Sequence, residues 1–398
     1  MNRPARVRVT RAARVPDRLR LARFRQAPEL GARVVFFSGG SALRGLSRCL
    51  VEYTHRSRHL VTPFDSGGSS AHLRRAFRMP AVGDLRNRLM ALADHSVLGN
   101  PEIYELFAFR FPTDALGQEL RSRLSAMVRG VDPQVEAIPE PMRSIITSHL
   151  GSFQEAMPKS FDLAGAAIGN LVLAGGYLEQ GRKLDSVLYL FSQLVEARGV
   201  VRPVVDRNLH LVAHLEDGRT IVGQHLMTGK EVPPLESPIV RLHLSRSQSE
   251  PVEYRPPIAK AVEDMIRTAD LICYPMGSFY TSLIATLLPE GVSDAIATTD
   301  VPKVYVPNPG HDPEELGMGL LDKVRMLERY LRDGATKRVT GSLLDIVLLD
   351  RAGSGVTLED VRALEKLGVR VLDVPLLSKE RPSVIDDRRL AEALLSLA

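Results

Sequence analysis

The chain has 398 residues, 44% of them apolar, with two cysteines, no tryptophan and a formal net charge of +5. That is enough to bury a large core, either in one enlarged α/β unit or in two to three smaller domains. Cys49 and Cys273, far apart and in apolar surroundings, exclude a disulfide scaffold or a thiolate zinc site and point to a reducing compartment.

No stretch reaches the roughly 18 uninterrupted apolar residues of a membrane helix. No apolar segment follows the N-terminal charges as in a secretory signal, so the cytoplasm is the expected location, with no membrane partner. The charge is unevenly placed. Residues 1–25 hold nine arginines against Asp17, a local +8 that leaves about −3 for the rest. Residues 1–30 therefore read as a basic arm able to contact a phosphate backbone or an acidic partner, and residues 31–398 as one domain. The plainer alternative is a loosely docked terminus.

In chain order, Arg33–Phe37 ("RVVFF") is a strand that stops at Ser38-Gly39-Gly40. Leu43, Leu46, Leu50 and Val51 then recur at helical spacing. His59–Phe64 is a second strand with Pro63 near its end. Residues 84–94 read as helix, 103–111 as an aromatic, apolar run, and 114–158 as a helical insertion punctuated by prolines. Residues 162–196 are apolar helical stretches interrupted at Gly169-Asn170 and Gly175-Gly176. "NLHLVAHLEDGRTIVGQHLM" gives two alternating runs joined by Asp217-Gly218, a strong hairpin signal. An amphipathic helix through Ile258, Val262 and Ile266 precedes the strand Leu271–Tyr274. Lys303–Val306 and Asp345–Leu349 are further strands, followed by helix 358–367, the strand "VRVLDV" and a last helix at 387–397. This alternation predicts a Rossmann-like α/β fold: a mostly parallel sheet with helices on both faces, plus the β-hairpin and the helical insertion.

In such sheets ligands bind beyond the carboxyl ends of the strands, where four turns are polar or Gly-rich: Ser38–Ala42, Asp65–Ala71, Pro275–Tyr280 and Val306–His311. Gly39 and Gly40 before a helix let backbone N–H groups approach a phosphate, or form a tight turn. Leu46 stands where a Walker lysine is needed, so no P-loop is present. "DSGGSS" at 65–70 offers a carboxylate for a metal or a proton, and an anion nest of glycines and hydroxyls. Arg74, Arg75 and Arg78 follow as charge-assisted donors. The competing reading is a capped helix with its arginines in solvent. Gly83-Asp84-Leu85-Arg86-Asn87 repeats this chemistry nearby. "GSFYTS" at 277–282 suits a phosphate or ribose, or equally a capped helix start. In the hairpin, counting outward from Asp217-Gly218 pairs His210 with His225 and puts His214 on the face of His210. With no third ligand, polar residues on a sheet face are the reading there. Neither G-x-S-x-G nor H-E-x-x-H occurs.

These strings resemble the CofD/YvcK family, which comprises 2-phospho-L-lactate transferases and YvcK gluconeogenesis factors. The Gly-rich first turn, "VTPFDSGGSSAHLRR", "GDLRNRLMALAD", "LAGAAIGNLVLAGGYL", "HLEDGRTIVGQ", "ADLICYPMGSFYTSLI" and "PKVYVPNPG" follow the family's order, and "DSGGSS…LRR" with "GDLRN" is nearer the YvcK branch. The resemblance implies a nucleotide-diphosphate or nucleotide-sugar ligand across the strand ends, with Mg²⁺ in the transferase branch. It places Gly39, Gly40 and Ser41 at the phosphates, and Asp65 and Asp84 at the reacting group, with Asp65 on the metal. Gly67, Gly68, Ser69, Arg74, Arg86, Asn87, Asn170, Gly277, Ser278 and Asn308 complete the pocket. Four positions depart from the family. Gly39-Gly40-Ser41-Ala42 replaces Gly-Gly-Thr-Gly, and Ser66 replaces a second aspartate. Ala166-Ala167 replaces a polar pair, and Pro275-Met276 replaces Gly-Pro. Three functions follow: a Mg²⁺-dependent phosphotransferase, a YvcK-type nucleotide-sugar-binding regulator without transferase activity, or a nucleic-acid accessory protein using the arm. The last lacks stacking aromatics beyond Phe24. A homo-oligomer is the expected assembly.

Overall fold

In a computed structural model of the protein, residues 12–96, 99–336, 341–381 and 383–398 are described. Arg3, Arg6, Arg8 and Arg11 of the arm lie outside them. Seven strands form one parallel sheet in the order β10-β9-β8-β7-β1-β2-β3. They are β1 (Val34–Ser38), β2 (Arg58–Val61), β3 (Val200–Pro203), β7 (Leu271–Tyr274), β8 (Lys303–Tyr305), β9 (Ile346–Leu349) and β10 (Arg370–Asp373). A second, antiparallel sheet joins β4 (His210–Leu215), β5 (Thr220–Val222) and β6 (Ile239–Ser245) in the order β5-β4-β6.

Every residue of β1 is buried, as expected for a strand covered on both faces. Val35 and Phe37 enter one core layer with Leu60, Ile272 and Tyr274, while Val34 and Phe36 enter the opposite layer with Cys273, Val304 and Leu394. From β1 the chain builds outward through β2 and β3. It later returns to the other side of β1 and builds away through β7, β8, β9 and β10. The order therefore reverses between β1 and β7, so the loops leaving these two strands diverge and open a crevice.

Two local expectations change, and the aromatic, apolar run gains its element. Gly175-Gly176 does not interrupt a helix, because Ile168–Glu179 is continuous and packs along Met142–Ala156. A Cβ on Gly175 would lie 1.8 Å from the His149 carbonyl oxygen, so the glycines let two helix backbones approach. Residues 101–108, which take in the front of the aromatic, apolar run, are helix, with Pro101 at the first turn and Ile103, Leu106 and Phe107 buried. The hairpin register is one residue off the count made from the turn: Val212 faces Val222 and His214 faces Thr220. His214 stacks on His243 of β6 at 5.1 Å, and His225 leaves the sheet altogether.

The arginine-rich segment is helical from Arg18 to Gln26 (α1). It rests on the last helix, Asp387–Leu397, where Leu21 is buried and Asp17 N–H donates to Ser396 Oγ at 2.8 Å. Arg18 pairs with Glu392 at 3.0 Å. The helices at 117–128 and 142–156 share one core with Leu73, Leu85 and Phe107 of the body.

Two glycines of the 142–179 helix pair give opposite expectations. Gly175→Ala overpacks the contact and is expected to destabilise by about 2 kcal/mol. A Cβ at Gly151 meets only Val128 Cγ1, at 3.6 Å, so Gly151→Ala should stabilise by roughly 0.5 kcal/mol through helix propensity. Urea midpoints of the two variants, read against the parent chain, check both signs.

Candidate functional site

Three further helices bring the site together: α2 (Arg44–Val51), α3 (Gly68–Phe77) and α4 (Gly83–Ala91). The loops after β1, β2 and β7 and the start of α4 surround a cleft of about 340 Å³. It lies at the crevice created by the reversal of strand order.

The turn after β1 is held from both sides by α4. Arg88 is fully buried. Its Nη1 donates to Leu43 O at 2.9 Å and Ser47 Oγ at 2.5 Å; its Nη2 donates to Gly39 O at 2.8 Å. One helical turn earlier, the Asp84 carboxylate accepts the Gly40 N–H. A Cβ on Gly40 would sit 2.1 Å from Asp84 Oδ1, and one on Gly39 would sit 2.5 Å from Ser282 Oγ. Crowding, not backbone twist, demands glycine at both positions. The Gly40 N–H is thus bonded within the protein.

Beyond β2, Gly67 donates its N–H to Asp65 Oδ1 at 3.1 Å, closing a turn through the aspartate side chain. Ser66 Oγ accepts the His225 N–H at 3.2 Å and lies 2.8 Å from His225 Nδ1. Asn170, almost fully buried, reaches Ser69 Oγ at 3.4 Å. After β7, Gly277 adopts φ +138°, a conformation reserved for glycine. The next amides are already capped: Phe279 N–H donates to Asp312 Oδ2 at 2.8 Å, and the Tyr280 and Thr281 N–H groups donate to Glu314 Oε2. Of the two readings of "GSFYTS", the capped helix start describes these amides.

The cleft therefore gathers Gly39, Gly40, Ser41, Asp65, Gly67, Gly68, Ser69, Asp84, Arg86, Asn87, Asn170, Gly277 and Ser278. Arg86 touches it while donating to Phe107 O at 3.1 Å and Asn87 Oδ1 at 2.8 Å, which orients the amide of Asn87. Two expected members stand elsewhere. Arg74 is buried behind β2 and donates to Phe64 O, Asp65 O and Asn208 Oδ1, so it fixes the backbone of Asp65 from the rear. Asn308 lines a second cleft of about 300 Å³ beyond β8 and β9, with Leu320, Leu348, Asp350 and Leu377.

Sequence reasoning missed Arg110, Thr228, Lys230, Glu231 and Ser282, and misplaced His225 on a strand; all line the first cleft. The readable signal was the pair of glycines in "GQHLMTGKE": Gly223 and Gly229 both have positive φ, which ends the strand and turns the chain over the cleft.

Burial and the neighbouring Asp65 carboxylate push Asp84 up to about 6, against the Gly40 N–H and Arg88, which favour its ionised form. Two carboxylates near one another, one of them reluctant to ionise, suit a hard divalent cation that takes its other ligands from a phosphate and water. Among the described residues no cluster of three or more His, Cys, Asp or Glu side chains could hold a metal alone. An aspartate raised from 3.8 to about 6 in the fold disfavours the ionised native state. Its contribution is fully present below the unfolded value and is lost as pH rises through the folded one. Asp84→Asn, which still accepts the Gly40 N–H, should melt with the parent near pH 4 and above it beyond about pH 6. Melting curves across that range decide it, since a pH-independent difference contradicts the assignment.

The family model for "2-phospho-L-lactate transferase CofD" matches residues 34–377. Among curated relatives, the "Gluconeogenesis factor" of Bacillus subtilis is 26% identical over 371 residues, covering 91% of this chain and 96% of its own. The "Gluconeogenesis factor" of Listeria monocytogenes is 28% identical over 280 residues, 70% and 67% of the two chains. A crystal structure of a UPF0052 family member from Bacillus halodurans superposes with TM-score 0.66 at 23% identity, covering 91% of this chain and 99% of that one. The superposition bears out the α/β fold. Since the family match runs from the first strand past the last strand of the sheet, the chain belongs to the CofD family.

Proposed function

We propose that the protein binds a nucleotide-diphosphate-linked ligand, with the diphosphate in the cleft between β1, β2 and β7. The observation that carries this reading is convergence: the Gly39-Gly40 turn, the Asp65–Ser70 turn and Ser278 meet at the point where strand order reverses. The second cleft, more apolar and on the same rim of the sheet, has the character of a nucleoside pocket. The two clefts are linked, because Asp312 and Glu314 of the loop leaving β8 hold the amides that follow Ser278.

Mg²⁺ fits the donor set. Asp65 would hold it with Asp84 alongside, and it would neutralise the diphosphate charge. The protein's own part is to hold Asp65 in place through Arg74 and to present the Ser69 and Ser278 hydroxyls to ligand oxygens.

Between transferase and regulator, one observation favours the regulator. Donors that could stabilise charge developing on a transferred phosphoryl group are engaged internally: the Gly40 N–H by Asp84, and the 279–281 amides by Asp312 and Glu314. Ser66, where YvcK-like members carry a second aspartate, is tied to His225. The Bacillus and Listeria relatives carry the name "Gluconeogenesis factor", which names no transferase activity.

A thermal-shift panel of GDP, UDP and UDP-sugars, with and without Mg²⁺, tests the reading. Ligand at a hundredfold excess over Kd is worth about 2.7 kcal/mol, a shift of several degrees. Absence of a shift with every nucleotide sinks it. Asp65→Asn should abolish the Mg²⁺-dependent part of the shift and keep the rest. Turnover of a GDP-linked donor would select the transferase.

A further inference from the structure

The anion nest of the Asp65–Ser70 turn already receives a carboxylate. Glu231 Oε1 accepts the Gly68 N–H at 3.0 Å. A Cβ on Gly67 would lie 2.3 Å from that same oxygen, so the carboxylate sits flush on the two glycines. Gly68, at φ +46°, opens the ten-residue helix α3, where the outward N–H and the helix dipole both favour negative charge. This is the donor that a ligand phosphate would need.

The segment carrying Glu231 is built in two parts. Its front is fixed: Met227 is fully buried and His225 is bonded to Ser66. Gly229, at φ +65°, then turns the chain, and Lys230 and Glu231 beyond it are exposed. Only the side chain of Glu231, with a small rotation at Gly229, has to move to free the nest.

We propose that Glu231 is a built-in competitor for the ligand's phosphate, an assignment that rests on the diphosphate reading of the cleft. Two anions cannot both occupy one N–H donor, and at a few ångströms' separation they repel. Ligand binding therefore displaces Glu231. Weakly charged ligands are rejected, and a pyrophosphate with its higher charge is accepted. A Glu231 that instead helped to hold a cation or ligand hydroxyl would give the opposite sign on removal.

Titration calorimetry on the full chain, with inorganic pyrophosphate and with UDP as probes, separates these cases in the parent, Glu231→Ala and Glu231→Gln. Because Glu231 is exposed, both variants should still fold, melting slightly below the parent without ligand because the bond to Gly68 is lost. Glu231→Ala is expected to bind pyrophosphate about tenfold more tightly, the effect of removing one charge-assisted hydrogen bond from the unliganded state. Glu231→Gln should shift in the same direction by less, and pyrophosphate should speed amide exchange at residues 229–232 in the parent. Unchanged or weaker binding by Glu231→Ala overturns the proposal. If UDP binds all three proteins equally, the cleft reading stands and the competitor falls. If neither probe binds any of the three, both fall together.

Discussion

A single buried guanidinium organises the functional end of this molecule. Among the described residues Arg88 has no carboxylate in direct contact, although Asp84, one helical turn away, supplies an opposing charge. Burial pulls Arg88 down to about 10, which leaves it charged at neutral pH. An ion so deeply buried is tolerated only when most of its donors are matched. Here the carbonyls of Leu43 and Gly39 and the Ser47 hydroxyl match the two terminal nitrogens, while the buried Nε has no partner among the described residues. Those acceptors belong to the turn that leaves the central strand and to the start of α2. The turn must therefore fold back on α4, and the position of Asp84 beside Gly40 follows from it. Without Arg88 the β1 loop would have carbonyls pointing into an apolar interior and no reason to close.

The same arrangement recurs at the neighbouring loops. Arg74 holds the Phe64 and Asp65 carbonyls from behind, and Glu314 and Asp312 hold the 279–281 amides from the far side. Burial and Asp312 push Glu314 well above the usual carboxylate range, while the Thr281 hydroxyl and the amides oppose the shift. Each loop of the crevice thus has a buried ionisable side chain behind it that binds inward-facing backbone groups. Apart from the Gly68 N–H, which Glu231 covers, the described groups facing the cleft are mainly side chains, among them Asp65, the Ser69 and Ser278 hydroxyls, Asn87 and Arg110. Recognition through side chains makes the cleft more sensitive to single substitutions than a backbone cradle would be.

Much of the frame was legible in the sequence. β1, β7 and the last helix announced themselves, because continuous apolar runs and helical spacing leave few alternatives when both faces are buried. β3 escaped notice: "VVRP" is a sheet edge with Val200 exposed, so solvent blurs its pattern. β6 was missed because its partner is β4, about thirty residues upstream, and no local turn signals the pairing. Arg74 illustrates how residue type misleads when spacing is ignored. Ser70, Leu73, Arg74 and Phe77 form the buried face of α3, so periodicity alone places that guanidinium in the core. His225 shows the converse. A one-residue shift of the β4–β5 register, together with the strand's end at Val222, moved it from a sheet face to the wall of the cleft.

The departures from the family's strings gain physical meaning from these contacts. A serine at 66 accepts the His225 backbone N–H and contacts its ring, something a ligand-facing aspartate would do only by abandoning its metal. The substitution thus fastens the 223–231 segment onto the Asp65–Ser70 turn, and the same fastening delivers Glu231 to Gly68. Ser41-Ala42 in place of a threonine and a glycine is compatible with a β1 turn whose shape is set by Arg88 and Asp84. Ala42 also fits under Gly277, whose own added Cβ would come within 3.2 Å of it. Read as one set, these changes exchange loop freedom and a second carboxylate for internal bonds. That exchange suits a site selected to hold a ligand more than one that must reorganise around a moving phosphoryl group.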